Sequence, residues 1–202
     1  MDRQSLILVR HGETLHNVAG IAQGWNDSAL SPRGEEQVRR LAARLATMRV
    51  DALYSSPLSR ALATARVIAE ATGVNIVTLD DLREMSYGSW EGQSFLDVRA
   101  ADEAAYQRWI GDMEEPCPGG GESHNDVLRR MQRAFRSIEG MRPVLVSHGT
   151  AIRVGATSLL DVPVTASRHF AQDNASINRF VRRNDRWVLK VWNDTTHCGE
   201  DT

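Results

Sequence analysis

Cysteine is nearly absent from this chain. Cys117 and Cys198 are the two in 202 residues, far apart and in no metal-type spacing, so neither a disulfide framework nor a zinc module is encoded. Lysine is scarcer still: of 24 basic residues only Lys190 is a lysine, so recognition of anions runs through guanidinium groups. No apolar run reaches the ~18 residues of a membrane span, and Leu6–Val9 is too short for a signal peptide. A charge excess is also missing. The formal net charge of −2 argues against a chain that lives on nucleic acid or on a membrane surface. No repeat, low-complexity tract or linker divides the sequence. With 42% hydrophobic and 25% charged residues, the composition is that of a globular, cytoplasmic protein, read as one domain over 1–202.

Strand and helix signals alternate from the start. Ser5–Val9 is a continuous apolar run, the pattern of a strand buried on both faces. Gly34–Met48 places Val38, Leu41, Leu45 and Met48 on one helical face. Ala52–Ser55 is a short strand. Ser56-Pro57 then opens a helix with Pro in its first turn, and Asn75–Leu79 is a third strand. This order predicts an α/β fold on a parallel sheet. From Arg83 to Gly121 the alternation stops. A Gly/Trp-rich loop, a polar helix over Phe95–Ile110 and a Pro/Gly turn read as an insertion, about 83–121, over one end of the sheet. Ser123 starts another helix, with Asp126 completing an approximate capping box and Val127, Met131, Phe135 and Ile138 as its buried stripe. Pro143–Ser147 is a second fully apolar strand, followed by a helix to Leu160. Ser176–Val181 and Trp187–Trp192 form a hairpin around Asn184-Asp185.

Two strands end alike, in Arg10-His11-Gly12 and in Ser147-His148-Gly149. Each sets an imidazole at the strand end where ligands of parallel α/β sheets bind, beside a Gly that lets backbone approach a ligand. One such histidine is more often structural. Two in matching positions, with an adjacent Arg, point to a site. Arg60 joins them from the first turn of a helix, whose positive end favours an anion. This set suits phosphoryl transfer through histidine. Arg pairs with phosphate oxygens bidentately, a neutral imidazole can attack phosphorus, and a carboxyl group can protonate the leaving alkoxide. Glu84, at the start of the loop after the third strand, is the candidate for that proton, as a carboxyl held protonated by its surroundings. No Asp/His cluster has the spacing of a metal site, so neither a metal nor a cofactor is expected.

The segment Leu8–Asn17, LVRHGETLHN, resembles the signature of the histidine phosphatase superfamily, the phosphoglycerate mutase-like enzymes. The resemblance continues through Gln23–Asp27, LSPxG at 30–34 with Gln37, SSPLSRALATA at 55–65, LREMSYGSWEG at 82–92, GGES at 120–123 and VSHGTAIR at 146–153. It implies a three-layer α/β/α sandwich with a mostly parallel central sheet and a helical insertion over the active-site end. It also implies His11 as the phosphorylated nucleophile, with Arg10, Arg60 and His148 around the phosphate. Asn17 matches a phosphate-contacting Asn, Gln23 and Gly24 a loop closing over the phosphate, and Glu84 the proton donor. Gly149 follows His148 into the same pocket. His16, His124, His169 and His197 match nothing catalytic.

Within that family the chain resembles the short bacterial phosphatases more than the mutases. Mutases usually carry Ser or Thr at the position of Gln23, and His-Gly-Asn where this chain has His148-Gly149-Thr150. They also have a longer insertion with a Lys and an Arg pair. Here the insertion holds no Lys, and the adjacent pair Arg129-Arg130 lies on the helix after GGES. YGSWEG is phosphatase-like, whereas Gly24-Trp25 is somewhat mutase-like. The expected activity is metal-independent hydrolysis of a small-molecule phosphomonoester. The alternatives are a 2,3-bisphosphoglycerate-dependent mutase and a non-catalytic phosphoprotein-binding module, which would be expected to lack His11, Arg60, Glu84 or His148. Met85, Tyr87, Trp90, Tyr106, Arg108 and Trp109 are candidates for the leaving-group side or for core packing. Trp187–Trp192 offers an exposed edge for a homodimer contact.

Overall fold

The computed structural model describes residues 4–199. Its sheet comprises β1 (Ser5–Arg10), β2 (Ala52–Ser55), β3 (Ile76–Thr78), β4 (Pro143–Ser147), β5 (Ile177–Arg183) and β6 (Arg186–Asp194), in the order β3-β2-β4-β1-β5-β6. β1 to β4 pair in parallel, while β5 enters antiparallel between β1 and β6. The helices are α1 (Leu15–Val18), α2 (Pro32–Ala46), α3 (Ser59–Thr72), α4 (Phe95–Ala101), α5 (Glu103–Gly111), α6 (His124–Ser137) and α7 (Gly149–Leu160).

The period of two along β1 separates the layers. Ile7 and Val9 face a core shared with Leu41 and Leu45 of α2 and Ala61, Ala65 and Ile68 of α3. Leu6 and Leu8 face the other core, shared with Val127 and Met131 of α6 and Ile152 of α7. The result is the expected three-layer sandwich. Among the described residues no helix is long and apolar enough to cross a membrane.

Local chemistry sets most boundaries. Ser31 caps α2 through the Gly34 N–H, with Pro32 in the first turn, and Ser123 and Asp126 form a complete capping box at α6. Asn184 and Asp185 both have positive φ, 48° and 60°, the geometry that turns β5 into β6 with two residues. Two expectations need correction. α3 begins at Ser59, not at Ser56-Pro57, because Leu58 is extended and the Ser56 hydroxyl is engaged elsewhere. The helix expected over Phe95–Ile110 is two, broken at Asp102, whose side chain leaves the first helix and caps the second through the Ala105 N–H at 2.8 Å.

α2 stands directly on the loop that follows β1. A methyl group on Gly34 would lie 1.9 Å from the Glu13 carbonyl oxygen, and one on Gly12 would lie 2.5 Å from a Val38 methyl. Gly12 is therefore required by helix packing. Gly34→Ala is expected to destabilise the fold by about 1–3 kcal/mol, the usual cost of overpacking, measured by urea denaturation. A change below about 0.5 kcal/mol, the range of neutral surface substitutions, would mean that the loop yields.

Candidate active site

β1 and β4 are neighbours in register, Arg10 beside Ser147, so their two histidine-bearing ends meet. Beyond them lies a cleft of about 210 Å³. Arg10, His11, Asn17, Gln23, Gly24, Arg60, Glu84 and Gly149 all line it. His148 lies fully buried, its ring centroid 5.1 Å from that of His11. All nine residues singled out in the sequence thus come together.

The His11 ring has one fixed tautomer. Its Nδ1 lies 2.7 Å from the Gly12 carbonyl oxygen, which can only accept, so Nδ1 carries the hydrogen and Nε2 keeps its lone pair. Burial pushes the pKa of His11 well down, and the Arg60 and Arg10 charges add to this. His148 is depressed likewise, by burial first, then by Arg60 and His11. Its Nε2 lies 2.8 Å from Ser56 Oγ, and its Nδ1 is buried with no partner among the described residues. Ser56 Oγ also accepts from the Leu58 N–H at 3.3 Å.

Backbone carbonyls aim the guanidinium groups. Arg60, 1% exposed, donates from Nη2 to the Gly24 carbonyl at 2.7 Å and from Nη1 to that of Asn26 at 2.9 Å. Arg10 donates from Nη1 to the Gln172 carbonyl. Nε of both arginines is buried with no partner among the described residues, and burial lowers both pKa values, opposed by the Glu84 charge. Asn17 Oδ1 accepts from Thr14 N–H at 3.1 Å and Asn174 Nδ2 at 3.2 Å, which leaves the Asn17 amide nitrogen to donate. Glu84 Oε1 accepts from the N–H groups of Met85 (2.8 Å) and Ala151 (3.1 Å), and Oε2 from that of Thr150 (3.2 Å). The carboxylate thus sits on the first turn of α7.

Several contributors escape the sequence reading. Arg153 and Gln172 line the cleft, and Asn174 donates to the His11 carbonyl at 3.1 Å. Tyr87 joins Thr150 through a 2.9 Å hydroxyl contact, and Arg153 Nη2 donates to Thr150 Oγ1 at 3.1 Å. Arg130, noted only as half of a pair, is buried against Glu122 at 2.8 Å and donates to the carbonyls of Asp81 and Arg83, while Glu122 accepts from the Ser86 N–H. The segment that carries Glu84 is held by this cluster. Of the leaving-group candidates, Tyr87 lines the cleft, and Tyr106 and Trp109 line an adjoining chamber. Met85 and Trp90 pack in the core, and Arg108 is exposed beside Glu115. His197 contacts the Ala175 carbonyl, and His124 packs against Trp109. Among the described residues no three His, Cys, Asp or Glu side chains cluster as a metal site would.

A family model described as histidine phosphatase superfamily (branch 1) matches residues 6–195. A probable phosphoglycerate mutase GpmB of Erwinia tasmaniensis is 35% identical, covering 96% of this chain and 94% of its own. Phosphoserine phosphatase 1 of Hydrogenobacter thermophilus is 34% identical, covering 96% of this chain and 94% of its own. A mycobacterial glucosyl-3-phosphoglycerate phosphatase, solved with VO3, superposes with a TM-score of 0.83 at 32% identity, over 94% of this chain and 98% of that one.

The two neutral imidazoles make stability depend on pH. An unfolded histidine protonates near pH 6.5, whereas His11 and His148 in the folded chain do so only at much lower pH. As pH falls through that value the unfolded chain gains protons the native chain does not, and stability falls. Tm should drop between pH 7 and pH 5, and His11→Gln with His148→Asn should flatten the drop. His124 and His197 are also depressed and keep part of it. An unaltered slope in the double variant would assign the effect to other groups.

Proposed function

Because the chain belongs to the histidine phosphatase superfamily, we propose that it is a phosphatase that hydrolyses small-molecule phosphomonoesters through a phosphohistidine at His11. The observation that carries this reading is the His11 tautomer: an Nδ1–H fixed on the Gly12 carbonyl leaves Nε2 as a nucleophile in a cleft with two buried guanidiniums. A phosphate ester dianion supplies counter-charge beyond what the single carboxylate of Glu84 gives these groups. With the Ser56 hydroxyl donating to Nε2, neutral His148 carries its hydrogen on Nδ1 and donates to a phosphoryl oxygen. The amide nitrogen of Asn17 provides a further donor.

Nε2 of His11 forms a bond to phosphorus as the ester P–O bond breaks. The departing alkoxide takes a proton from the Glu84 carboxyl. Glu84 Oε2 is placed for this transfer, since it accepts only the 3.2 Å bond from Thr150 and lies towards Gly149. The resulting carboxylate then removes a proton from the water that attacks phosphohistidine, releasing inorganic phosphate and restoring His11. No step calls on a metal ion.

Relatives named as mutases keep a second reading in play, transfer to a second phosphoglycerate instead of water. Hydrolysis is favoured by Gln23, by Thr150 after His148-Gly149, and by an insertion without Lys. Thr150 is committed to Tyr87 and Arg153 through its hydroxyl.

Acid quench with labelled substrate should trap an acid-labile adduct that is absent in His11→Ala, chelator should leave turnover intact, and vanadate should inhibit. An active His11→Ala would end the mechanism. Arg60→Lys should lose roughly 10²–10³ in kcat, the loss typical of one preorganised donor, because an ammonium cannot replace the guanidinium fork. Glu84→Gln should give a burst and slow turnover with p-nitrophenyl phosphate and a much larger loss with alkyl phosphates. Equal losses without a burst would remove Glu84 from proton transfer. With 3-phosphoglycerate and a trace of 2,3-bisphosphoglycerate, inorganic phosphate should appear faster than 2-phosphoglycerate, and the reverse would establish a mutase.

A further inference from the structure

A second chamber, of about 320 Å³, adjoins the phosphate cleft and shares Tyr87, Phe95, Thr150 and Arg153 with it as a common wall. Its floor is aromatic. Phe95 and Trp109 lie nearly parallel, 8° apart with centroids at 6.2 Å, and Tyr106 lies 5.9 Å from Trp109. Its other groups are cationic or neutral: Arg153 from α7, Arg168 from the short 3-10 helix Val164–His169, and His124. Among the described residues no carboxylate lines it. Among the described residues neither guanidinium is in an ion pair: Arg153 donates to the Thr150 hydroxyl, and Arg168 reaches only the Met113 sulfur at 4.0 Å.

The charge balance separates this chamber from the phosphate cleft. In the cleft, Arg10 and Arg60 face Glu84 and have carbonyl partners. In the chamber, Arg168 has no carboxylate beside it among the described residues, and Arg153 stands on the shared wall with Glu84 on its cleft side. The field of both guanidiniums registers on the neighbouring imidazole: burial, then Arg168, then Arg153 push the His124 pKa down to about 4. His124 therefore adds no charge near neutral pH, and its Nδ1 is buried with no partner among the described residues.

We infer that the chamber receives the leaving group of the substrate, and that this leaving group carries a second oxyanion, bound by Arg153 and Arg168, on an apolar or planar body resting against Phe95 and Trp109. The inference rests on the phosphatase reading for the position of the ester phosphate. The volume suits a small molecule. A carboxylate and a phosphonate or phosphate share the required chemistry, since both match a guanidinium fork.

The test compares phenyl phosphate, 4-carboxyphenyl phosphate and 4-phosphonophenyl phosphate. In kcat/KM the wild type should favour at least one anionic ester over phenyl phosphate by about tenfold or more, and which one identifies the oxyanion. Arg168→Gln should collapse that preference ratio towards unity, and Arg168→Lys should retain part of it. Binding of the same esters to His11→Ala, and to His11→Ala with Arg168→Gln, is measured by calorimetry in parallel. If no ester is hydrolysed the phosphatase reading fails, yet an Arg168-dependent binding preference would still support the chamber's role. Equal kcat/KM and equal affinity for neutral and anionic esters, or a preference that Arg168→Gln leaves intact, would overturn it.

Discussion

Burying two guanidinium groups beside two imidazoles removes them from water at a cost that strand and helix packing do not return. The loops around the cleft are arranged to limit that cost. Gly24 and Asn26 turn their carbonyls onto Arg60, and Gln172 turns its carbonyl onto Arg10. The imidazoles avoid the cost by remaining neutral. Glu84 is the acidic residue that lines the cleft with them. Apart from Glu84 these partners are backbone carbonyls or neutral rings, so two guanidiniums share one carboxylate and the cluster stays electropositive. The same electrostatics keep the His11 imidazole neutral.

The acidic side of the site is held from elsewhere. Arg130 and Glu122 form a buried pair that also binds the backbone at Asp81, Arg83 and Ser86, so the loop carrying Glu84 is clamped to α6. The N-terminus of α7 then orients the carboxylate. Trp25 joins the two sides, because its indole N–H donates to the Glu84 carbonyl at 2.8 Å while its neighbours Gly24 and Asn26 hold Arg60. Arg83 lies over the Trp25 ring at 5.0 Å.

What the sequence revealed was what is local. The apolar runs of β1 and β4, the residues that follow them, and the capping pair Ser123 and Asp126 are each contained within a few positions. Family resemblance placed Asn17, Gln23 and Gly24. Long-range contacts were illegible: Gln172 and Asn174 carry no pattern, and they meet Arg10 and His11 only because β5 enters antiparallel beside β1. Arg153 stood inside the VSHGTAIR motif, but nothing in its spacing tells which chamber it faces. The polar stretch 95–110 reads as one helix because nothing in its pattern marks the break, which Asp102 makes by favouring a cap over a helix interior. That Arg168 meets no carboxylate among the described residues is likewise a property of what is not nearby.

The entry of β5 also sets when the site can exist during synthesis. Asn174 lies 163 positions beyond the His11 carbonyl it bonds. At ~5–20 residues per second on the ribosome, roughly 10–30 s separate the appearance of the two. Throughout that interval β1 has no partner on the side that β5 will occupy, and the backbone N–H and C=O groups of that edge are open to pairing with other chains. His11 is thus among the first parts of the protein made and among the last to be enclosed, so a nascent chain stalled before residue 174 would present this histidine without its full shell.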